Sequence, residues 1–441
     1  MPNAAARSMD ATQLQPRPEQ VVTTLRVEVV DGPDKGKHAT SNEALSVGTA
    51  KDNALVVADF TVSRYHLEVT VRPNGFVVTD LGSTNGTYVG AVRIERAVIP
   101  PGTLLKLGGT TIRFEDAGKR TVRLDGTTHE LSGMLARSPH MLRLFADIER
   151  VAATPTSVLV VGESGTGKER VAEALHAKSP RAGAPLVTID CGALASSLLA
   201  SELFGHERGA FTGADRVHIG AFERAGAGTV FLDEIGELPA ADQASLLGVL
   251  ERKRFRRVGG SGDIELGARV IAATNRDLRS EVNAGRFRHD LYHRLAVVVL
   301  RLPPLRERRE DIPLLVEHFA KELGAEGPIE AVFDADTLAR WNRHPWPGNI
   351  RELRNAVESA LVVGSMPLTG DVPLVDEAAA GGDGPLGPYK DARARVVGDF
   401  ERRYLVRLMA EASGNVSAAA RTAKMDRSHL IDLLRRHQLK S

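Results

Sequence analysis

The chain has 441 residues, enough for two to four domains at about 100–200 residues each. Its 57 Lys and Arg nearly cancel 56 Asp and Glu, leaving a net charge of +1, and 42% hydrophobic with 26% charged residues is an ordinary soluble, globular composition; a global polyelectrolyte is excluded. A single cysteine, Cys191, excludes an intrachain disulfide and fits a reducing, cytoplasmic setting, and the longest apolar runs, VLVV (158–161) and AVVVL (296–300), fall far short of the about 20 residues that cross a membrane.

In chain order, residues 1–20 lack an apolar signal core and read as a disordered leader. Residues 21–116 hold short β-type runs, TLRVEVV, HLEVTV, GFVVTDL and TIRFED, separated by the turn chemistry of DGPDKG, RPNG and STNG. Many short strands without a helical period predict a β-sandwich. Residues 117–132 are polar and read as a linker. Over 133–303 helical patterns such as SPHMLRLFADIERVA alternate with SVLVVG, PLVTID, TVFLDE and RVIAATN. That alternation predicts a parallel sheet covered by helices, an α/β domain. The strands then stop, and 304–365 read as a small helical lid. Residues 366–388 are rich in Gly, Pro and Ala and read as a flexible linker. Residues 389–441 read as all-α, with 12 Lys and Arg against 6 Asp and Glu, a local +6 that points to double-stranded DNA.

The most informative stretch is GESGTGK, comprising Gly162, Glu163, Ser164, Gly165, Thr166, Gly167 and Lys168. It follows a strand pattern and opens a helical one, the setting a P-loop needs. Glycines let main-chain N–H groups turn in around phosphate oxygens, and the helix N-terminus adds partial positive charge. Lys168 reaches toward the β and γ phosphates, which makes ATP the expected ligand. Glu169 stands where a Ser or Thr hydroxyl would usually bind Mg²⁺, so the metal must rely on phosphates, water and another carboxylate. TVFLDEI supplies one: Asp233 would hold Mg²⁺ through water, and Glu234 would polarise the attacking water. Asn275, at the end of RVIAATN, either senses the γ-phosphate or positions the water. Cys191 is expected to be a small buried filler.

ESGTGKE, SELFGHERGAFTGA, TVFLDEIGELP, FRHDLYHRL, LPPLRERREDI and WPGNIRELRN follow one another in order. Together they closely resemble the AAA+ ATPase of bacterial enhancer-binding proteins, the activators of sigma-54 RNA polymerase. The resemblance implies that Arg288 and Arg294 are arginine fingers acting on a neighbouring subunit's nucleotide, and hence a ring, typically a hexamer. It implies that Arg351 is the lid's sensor arginine. It also implies that Gly209, Ala210, Phe211, Thr212, Gly213 and Ala214 form the loop that contacts sigma-54, with Phe211 and Thr212 at its tip. In that family the residue before the cysteine is usually Asn and restrains the catalytic glutamate. Here it is Asp190, which when ionised has no amide proton to donate.

VSRYHLEV (62–69) and DLGSTNGTYV (80–89) resemble the conserved blocks of a forkhead-associated (FHA) domain. The resemblance implies phosphothreonine-protein recognition, with Ser63 and Arg64 on the phosphate and Asn85 on the peptide backbone. It leaves His66 as a structural hydrogen-bonder. The family's arginine after its first glycine is Thr49 here, with Lys51 a weaker substitute. The C-terminal GNVSAAARTAKMDRSHL resembles a Fis-type helix-turn-helix. Asn415 or Ser417 would cap its first helix and Asp426 its second. Arg427, Ser428 and His429 would face a major groove, with Arg435 and Arg436 near phosphates, and dimeric DNA binding is implied. The reading is thus a cytoplasmic, multidomain, ATP-driven transcription activator whose input is a phosphorylated protein in place of a phosphorylated receiver. The alternatives are an AAA+ motor or a DNA-binding scaffold acting on a different protein partner.

Overall fold

The structure, a computed structural model, describes residues 19–42, 44–72, 75–123, 129–193, 196–363, 405, 408–409, 412, 416–423, 425 and 427–436. It divides into a unit spanning 1–366 and one spanning 367–441.

The first unit opens with a sandwich of strands β1 (Glu19–Asp31), β2 (His38–Ser41), β3 (Ala44–Gly48), β4 (Leu55–Val56), β5 (Leu67–Arg72), β6 (Gly75–Asp80), β7 (Thr87–Val89), β8 (Val92–Ile94), β9 (Arg96–Ile99), β10 (Leu104–Leu107) and β11 (Thr110–Arg123). One sheet runs β2-β1-β11-β10-β7-β8 and the other β4-β3-β5-β6-β9. Alternation decides the faces: Leu25, Val27 and Val29 are fully buried against Ile112 and Phe114, while Arg26 and Glu28 between them pair with each other on the outer face. The expected boundaries shift here. Strand β11 runs on to Arg123, past the anticipated linker start, because it pairs with β1 from Glu19 onward; residues 19 and 20, assigned to the leader, are therefore in the sheet. Residues 1–18 lie outside the described residues.

A short hairpin, β12 (Glu130–Leu131) and β13 (Met134–Leu135), leads into the α/β domain. Its parallel strands are β14 (Val158–Val161), β15 (Leu186–Asp190), β16 (Thr229–Asp233), β19 (Arg269–Thr274) and β20 (Val298–Arg301), in the order β15-β16-β19-β14-β20; β17 (Arg254–Phe255) and β18 (Ile264–Glu265) form a separate hairpin. The near-continuous apolar runs are explained by burial on both faces. Val158, Val160, Phe231, Ile271 and Ala273 join one core cluster, and their neighbours Leu159, Val230, Leu232, Val270 and Ala272 join the other. The helices are α1 (Pro139–Ala152), α2 (Lys168–Ala177), α3 (Ser196–Phe204), α4 (Ala221–Ala225), α5 (Ala240–Arg252), α6 (Leu278–Asn283) and α7 (His289–Leu295).

The lid follows as α8 (Ile312–Glu322), α9 (Ile329–Val332), α10 (Ala335–Arg343) and α11 (Asn349–Val363). It is tied to the α/β domain by Asp311, fully buried, whose carboxylate accepts from the N–H groups of Arg137 (2.6 Å) and Ser138 (2.7 Å) and from the Ser138 hydroxyl (2.8 Å). The lid residue thereby satisfies donors at the start of α1 that the α1 sequence leaves open. In the second unit, α12 (Val416–Thr422) and α13 (Arg427–Arg436) share a core of Leu405, Leu408, Val416, Ala419, Ala420, Leu430, Leu433 and Leu434. Among the described residues no helix is long and apolar enough to cross a membrane.

Candidate nucleotide site and its surroundings

The P-loop joins β14 to α2 at the carboxyl ends of the parallel strands, where open α/β sheets bind ligands. Gly165 (φ 76°) and Gly167 (φ 103°) take left-handed backbone conformations that L side chains rarely adopt. Gly165 is required twice over: a Cβ there would sit 2.2 Å from the lid carbonyl of Gly348. Thr166 Oγ1 donates to Glu163 O at 2.7 Å, bracing the turn, and Lys168, 7% exposed, donates through Nζ to Gly162 O at 3.1 Å. A cavity of about 340 Å³ opens over this loop, lined by Ser164 to Glu169, Asp233, Glu234, Arg308 and Arg351 among others. It lies in the size range of small-molecule sites.

Asp233 ends β16 and Glu234 follows it, one strand beyond β19 from the P-loop strand. Glu234 has φ 48°, an unusual conformation for a non-glycine residue that turns its side chain out of the strand direction. Its Oε1 lies 3.2 Å from Lys168 Nζ, and its Oε2 accepts from Asn275 N at 3.0 Å. Asn275 thus reaches Glu234 through its main chain. Asp233 is half-buried; burial first, then the charges of Glu234 and Asp190, hold its carboxyl above the usual range, against the Glu234 N–H and Lys168. Asp190 is exposed, and its Oδ1 accepts from the N–H groups of Gly192 (2.8 Å) and Ala193 (3.1 Å), so its structural bonds are to its own turn. Cys191 is buried, and burial together with neighbouring carboxylates pushes its thiol up to about 12. It is an inert filler, as read from the sequence.

The lid contributes more to this site than its sequence motifs indicate. Arg351 Nη1 donates to Ser164 Oγ at 3.1 Å. Asn349, fully buried with φ 54°, donates through Nδ2 to Ser164 O (3.0 Å) and Glu163 Oε2 (3.2 Å), and accepts from Leu305 N (2.8 Å). Arg306 clasps the Glu163 carboxylate with two bonds of 2.6 and 2.8 Å, which holds that carboxyl below its usual range. Arg308, 1% exposed, donates to Thr166 O at 3.0 Å, and burial lowers its guanidinium to about 10. Asn349, Arg306 and Arg308 were not singled out from the sequence. The only available signal was their place inside the LPPLRERREDI and WPGNIRELRN blocks.

Arg288 and Arg294 do not line this cavity. Arg288 stands just before α7 with its guanidinium on Asp290 at 2.8 and 3.0 Å, and Arg294 donates to Leu250 O at 3.2 Å. The loop from Gly209 to Ala214 closes on itself through Gly209 N to Ala214 O (2.8 Å) and Ala214 N to Phe211 O (3.0 Å), with φ 81° and 97° at Gly209 and Gly213. Thr212 is exposed and Ala214 is buried, while Ala210 lies against Gly259. Phe211 is only 37% exposed, because its ring stands edge-on to His206 with centroids 4.8 Å apart. Phe211 remains among the exposed large apolar side chains, with one edge of its ring resting against His206. Val217 and Ile219, 49% and 48% exposed, add apolar surface that sequence reasoning did not single out. Arg257 fixes the loop base by pairing with Glu207 (2.9 Å) and Glu223 (2.7 Å).

In the sandwich, Ser63 Oγ accepts from Thr84 N at 3.0 Å and Asn85 Nδ2 donates to Thr61 O at 2.7 Å, drawing the two predicted recognition blocks together. Arg64 is exposed beside them. His66 is fully buried, its Nδ1 accepting from Ser63 N at 3.1 Å and its Nε2 3.2 Å from Gly86 O, a structural role. In the second unit Arg436 is exposed on α13. The side chains of Ser417, Arg427, Ser428, His429 and Arg435, and residues Asn415 and Asp426 altogether, lie outside the described residues.

A phosphate loop, an acidic strand end and a lid arginine meeting over one cleft define a P-loop nucleotide-binding domain of the AAA+ class, carried behind a β-sandwich. Comparison with known families gives the particular one. The sigma-54 interaction domain matches residues 134–301, the AAA+ ATPase lid domain 306–373 and the FHA domain 45–108. The chain is 45% identical over 307 residues to the transcriptional regulatory protein GlrR of Escherichia coli (strain K12), covering 69% of this chain and 68% of that one. It is 46% identical over 335 residues to ZraR of the same strain, covering 73% and 74%. Among solved structures, NtrX from Brucella abortus in complex with ADP is 34% identical, with TM-score 0.50, covering 70% of this chain and 69% of that chain. The chain belongs to the family of sigma-54-dependent transcriptional regulators.

Proposed function

We propose that this chain is an ATP-driven activator of sigma-54 RNA polymerase that binds upstream DNA through a Fis-type helix-turn-helix and takes its input from a phosphothreonine protein at the FHA domain. The observation that carries the reading is the convergence of Lys168, Glu234 and Arg351 on one cleft whose loop and lid are hydrogen-bonded together. ATP phosphates entering the cleft take over Lys168, which releases Glu234 to polarise the attacking water. Asn275, whose N–H already holds Glu234, keeps that carboxylate aimed.

Asp233 fits the role of Mg²⁺ holder: a half-buried carboxyl raised by its acidic neighbours is stabilised by a dication, and Thr166, the nearby hydroxyl, is already engaged with Glu163. When bound, Mg²⁺ neutralises charge between the phosphates. Arg288 and Arg294 lie off their own subunit's cleft, which supports action on a neighbour's nucleotide within a ring. Ser164 and Glu163, bonded to the lid, connect loss of the γ-phosphate to lid movement. The loop with Phe211, Thr212, Val217 and Ile219 offers the apolar surface for sigma-54. The basic surplus of residues 389–441 and the small-residue packing of Ala419 and Ala420 support DNA recognition by α13.

The test uses the purified full-length chain with sigma-54 polymerase on a closed promoter. Phe211→Ala is expected to keep ATP turnover and lose promoter melting, and Glu234→Gln to bind ATP but lower turnover by about 10²–10⁴-fold. Melting by Phe211→Ala at the wild-type rate, or full turnover by Glu234→Gln, sinks the reading.

A further inference from the structure

The sandwich is docked on the ATPase by the loop that carries its own proposed phosphate ligands. Tyr65, next to Arg64, is fully buried, and it belongs to the core cluster of the α/β domain, not to that of the sandwich. Its ring stands edge-on to Tyr292 of α7 at 5.6 Å between centroids, and the Arg279 guanidinium lies 5.4 Å from its centre. Its hydroxyl donates to Asp52 Oδ2 at 3.0 Å and lies 3.4 Å from His293 Nε2. Asn283, the last residue of α6, donates through Nδ2 to Tyr65 O and to Leu81 O (2.9 Å), and its Oδ1 accepts from Tyr65 N at 3.4 Å. Glu68 pairs with Arg301 at 2.8 Å and with Arg279 at 3.3 Å.

Asp52, Tyr65 and Leu81 sit in the connections β3–β4 (49–54), β4–β5 (57–66) and β6–β7 (81–86). These are the same connections that hold Thr49, Lys51, Ser63, Arg64 and Asn85. The ATPase has therefore taken up the recognition end of the sandwich. Main-chain groups of Tyr65 and Leu81 have their partner in Asn283, and would need water or a bound peptide if the sandwich left. The docking surface is the α6–α7 pair, which lies beside Arg288 and carries Arg294. His289, flanked by Arg288, already faces Tyr65 at 6.1 Å, and burial, His293 and Arg64 hold its imidazole below the usual range. In the proposed ring, a neighbouring subunit bringing nucleotide to Arg288 would meet the sandwich one residue away, at His289. A phosphate dianion drawing Arg64 outward pulls on the peptide unit it shares with Tyr65.

We propose that a phosphothreonine peptide and the α6–α7 pair compete for the recognition end of the sandwich, so that the docked form is the resting ATPase and phosphopeptide capture frees that pair. This rests on the ATPase and phosphothreonine reading above. The test uses four full-length proteins: wild type, Asn283→Ala, Glu68→Arg, and Glu68→Arg with Arg301→Glu. The probe is a phosphothreonine peptide mixture with randomised flanks, with its unphosphorylated counterpart as control.

In Glu68→Arg and Asn283→Ala, amide exchange over residues 278–295 is expected to rise about tenfold, the scale of one lost charge-assisted contact. Peptide affinity should tighten by a similar factor and turnover per subunit should increase, with the charge-reversed pair returning toward wild type. The peptide mixture alone should raise exchange over 278–295 in wild type. Unchanged exchange in both single variants, equal peptide affinity across all four, no peptide binding by any, or freed helices without faster turnover would each overturn the proposal. Absence of turnover in every protein, wild type included, would sink the ATPase reading instead, while exchange and peptide affinity still decide the competition.

Discussion

Two loops of this molecule are suited to phosphate, and they are made of opposite materials. The loop over 162–168 works with its main chain: Gly165 and Gly167 twist it inward, Lys168 is buried at its end, and the lid carbonyl of Gly348 closes on it. The loop over 61–66 has main-chain donors already spent, with Thr61 N donating to Asp59 Oδ1 (2.9 Å), Val62 N to Asp59 O (3.0 Å) and Ser63 N to His66 Nδ1 (3.1 Å). Under the proposed reading it would meet phosphate with side chains. The lesson is that the first site presents its own main chain, whereas the second, as proposed, presents side chains such as the exposed Arg64. Under the proposed phosphothreonine reading, a missing ligand such as the arginine replaced by Thr49 is expected to weaken binding without disturbing structure.

The sharpest way to break this contrast is at the first loop. Lys168→Ala is expected to lower ATP turnover by about 10²–10³-fold, the effect of removing one preorganised donor from developing charge. Gly165→Ala should cost about 1–3 kcal/mol of stability from backbone strain, besides the clash with the lid, and should lose ATP binding. Thermal melts with and without nucleotide read both. A Gly165→Ala chain that melts and binds as wild type would mean the lid contact is dispensable.

A smaller effect is expected at the second loop. Arg64→Ala should weaken phosphothreonine peptide binding about tenfold, and Thr49→Arg should strengthen it severalfold by restoring a bidentate partner, both with unchanged melting of the sandwich. Calorimetry on the full chain measures the affinities. A large fall in stability on either change would erase the distinction between the loops.

The smallest effect concerns pH. His66 is neutral in the sandwich, its Nδ1 accepting from Ser63 N; burial lowers its pKa from the ordinary 6.5, against the pull of Asp80 with Oδ2 at 3.9 Å. The unfolded imidazole takes up a proton as pH falls through about 6.5, while the folded one resists. Its contribution to stability is complete above that pH and is lost on acidification toward the lower folded value. Imidazole resonances should show a His66 midpoint below 6.5, with the Ser63 amide's protection relative to its intrinsic exchange rate falling at lower pH.

Much of the molecule was legible in the chain itself. Strand-length runs with period-two alternation marked the sandwich, runs apolar on both faces marked the parallel sheet, and Gly165, Gly167 and Lys168 between a strand and a helix marked the nucleotide loop. These are local records, written within a few residues of where they act. The grip of Asn349, Arg306 and Arg308 on the P-loop, the edge-on contact of Phe211 with His206, the extension of β11 along β1, and the burial of Tyr65 in the ATPase core were decided by the tertiary structure. Each depends on a partner brought close only by packing. A side chain that reads as one more residue of a recognition motif acquires its role from the surface pressed against it, and no periodicity or spacing in its own segment records that surface.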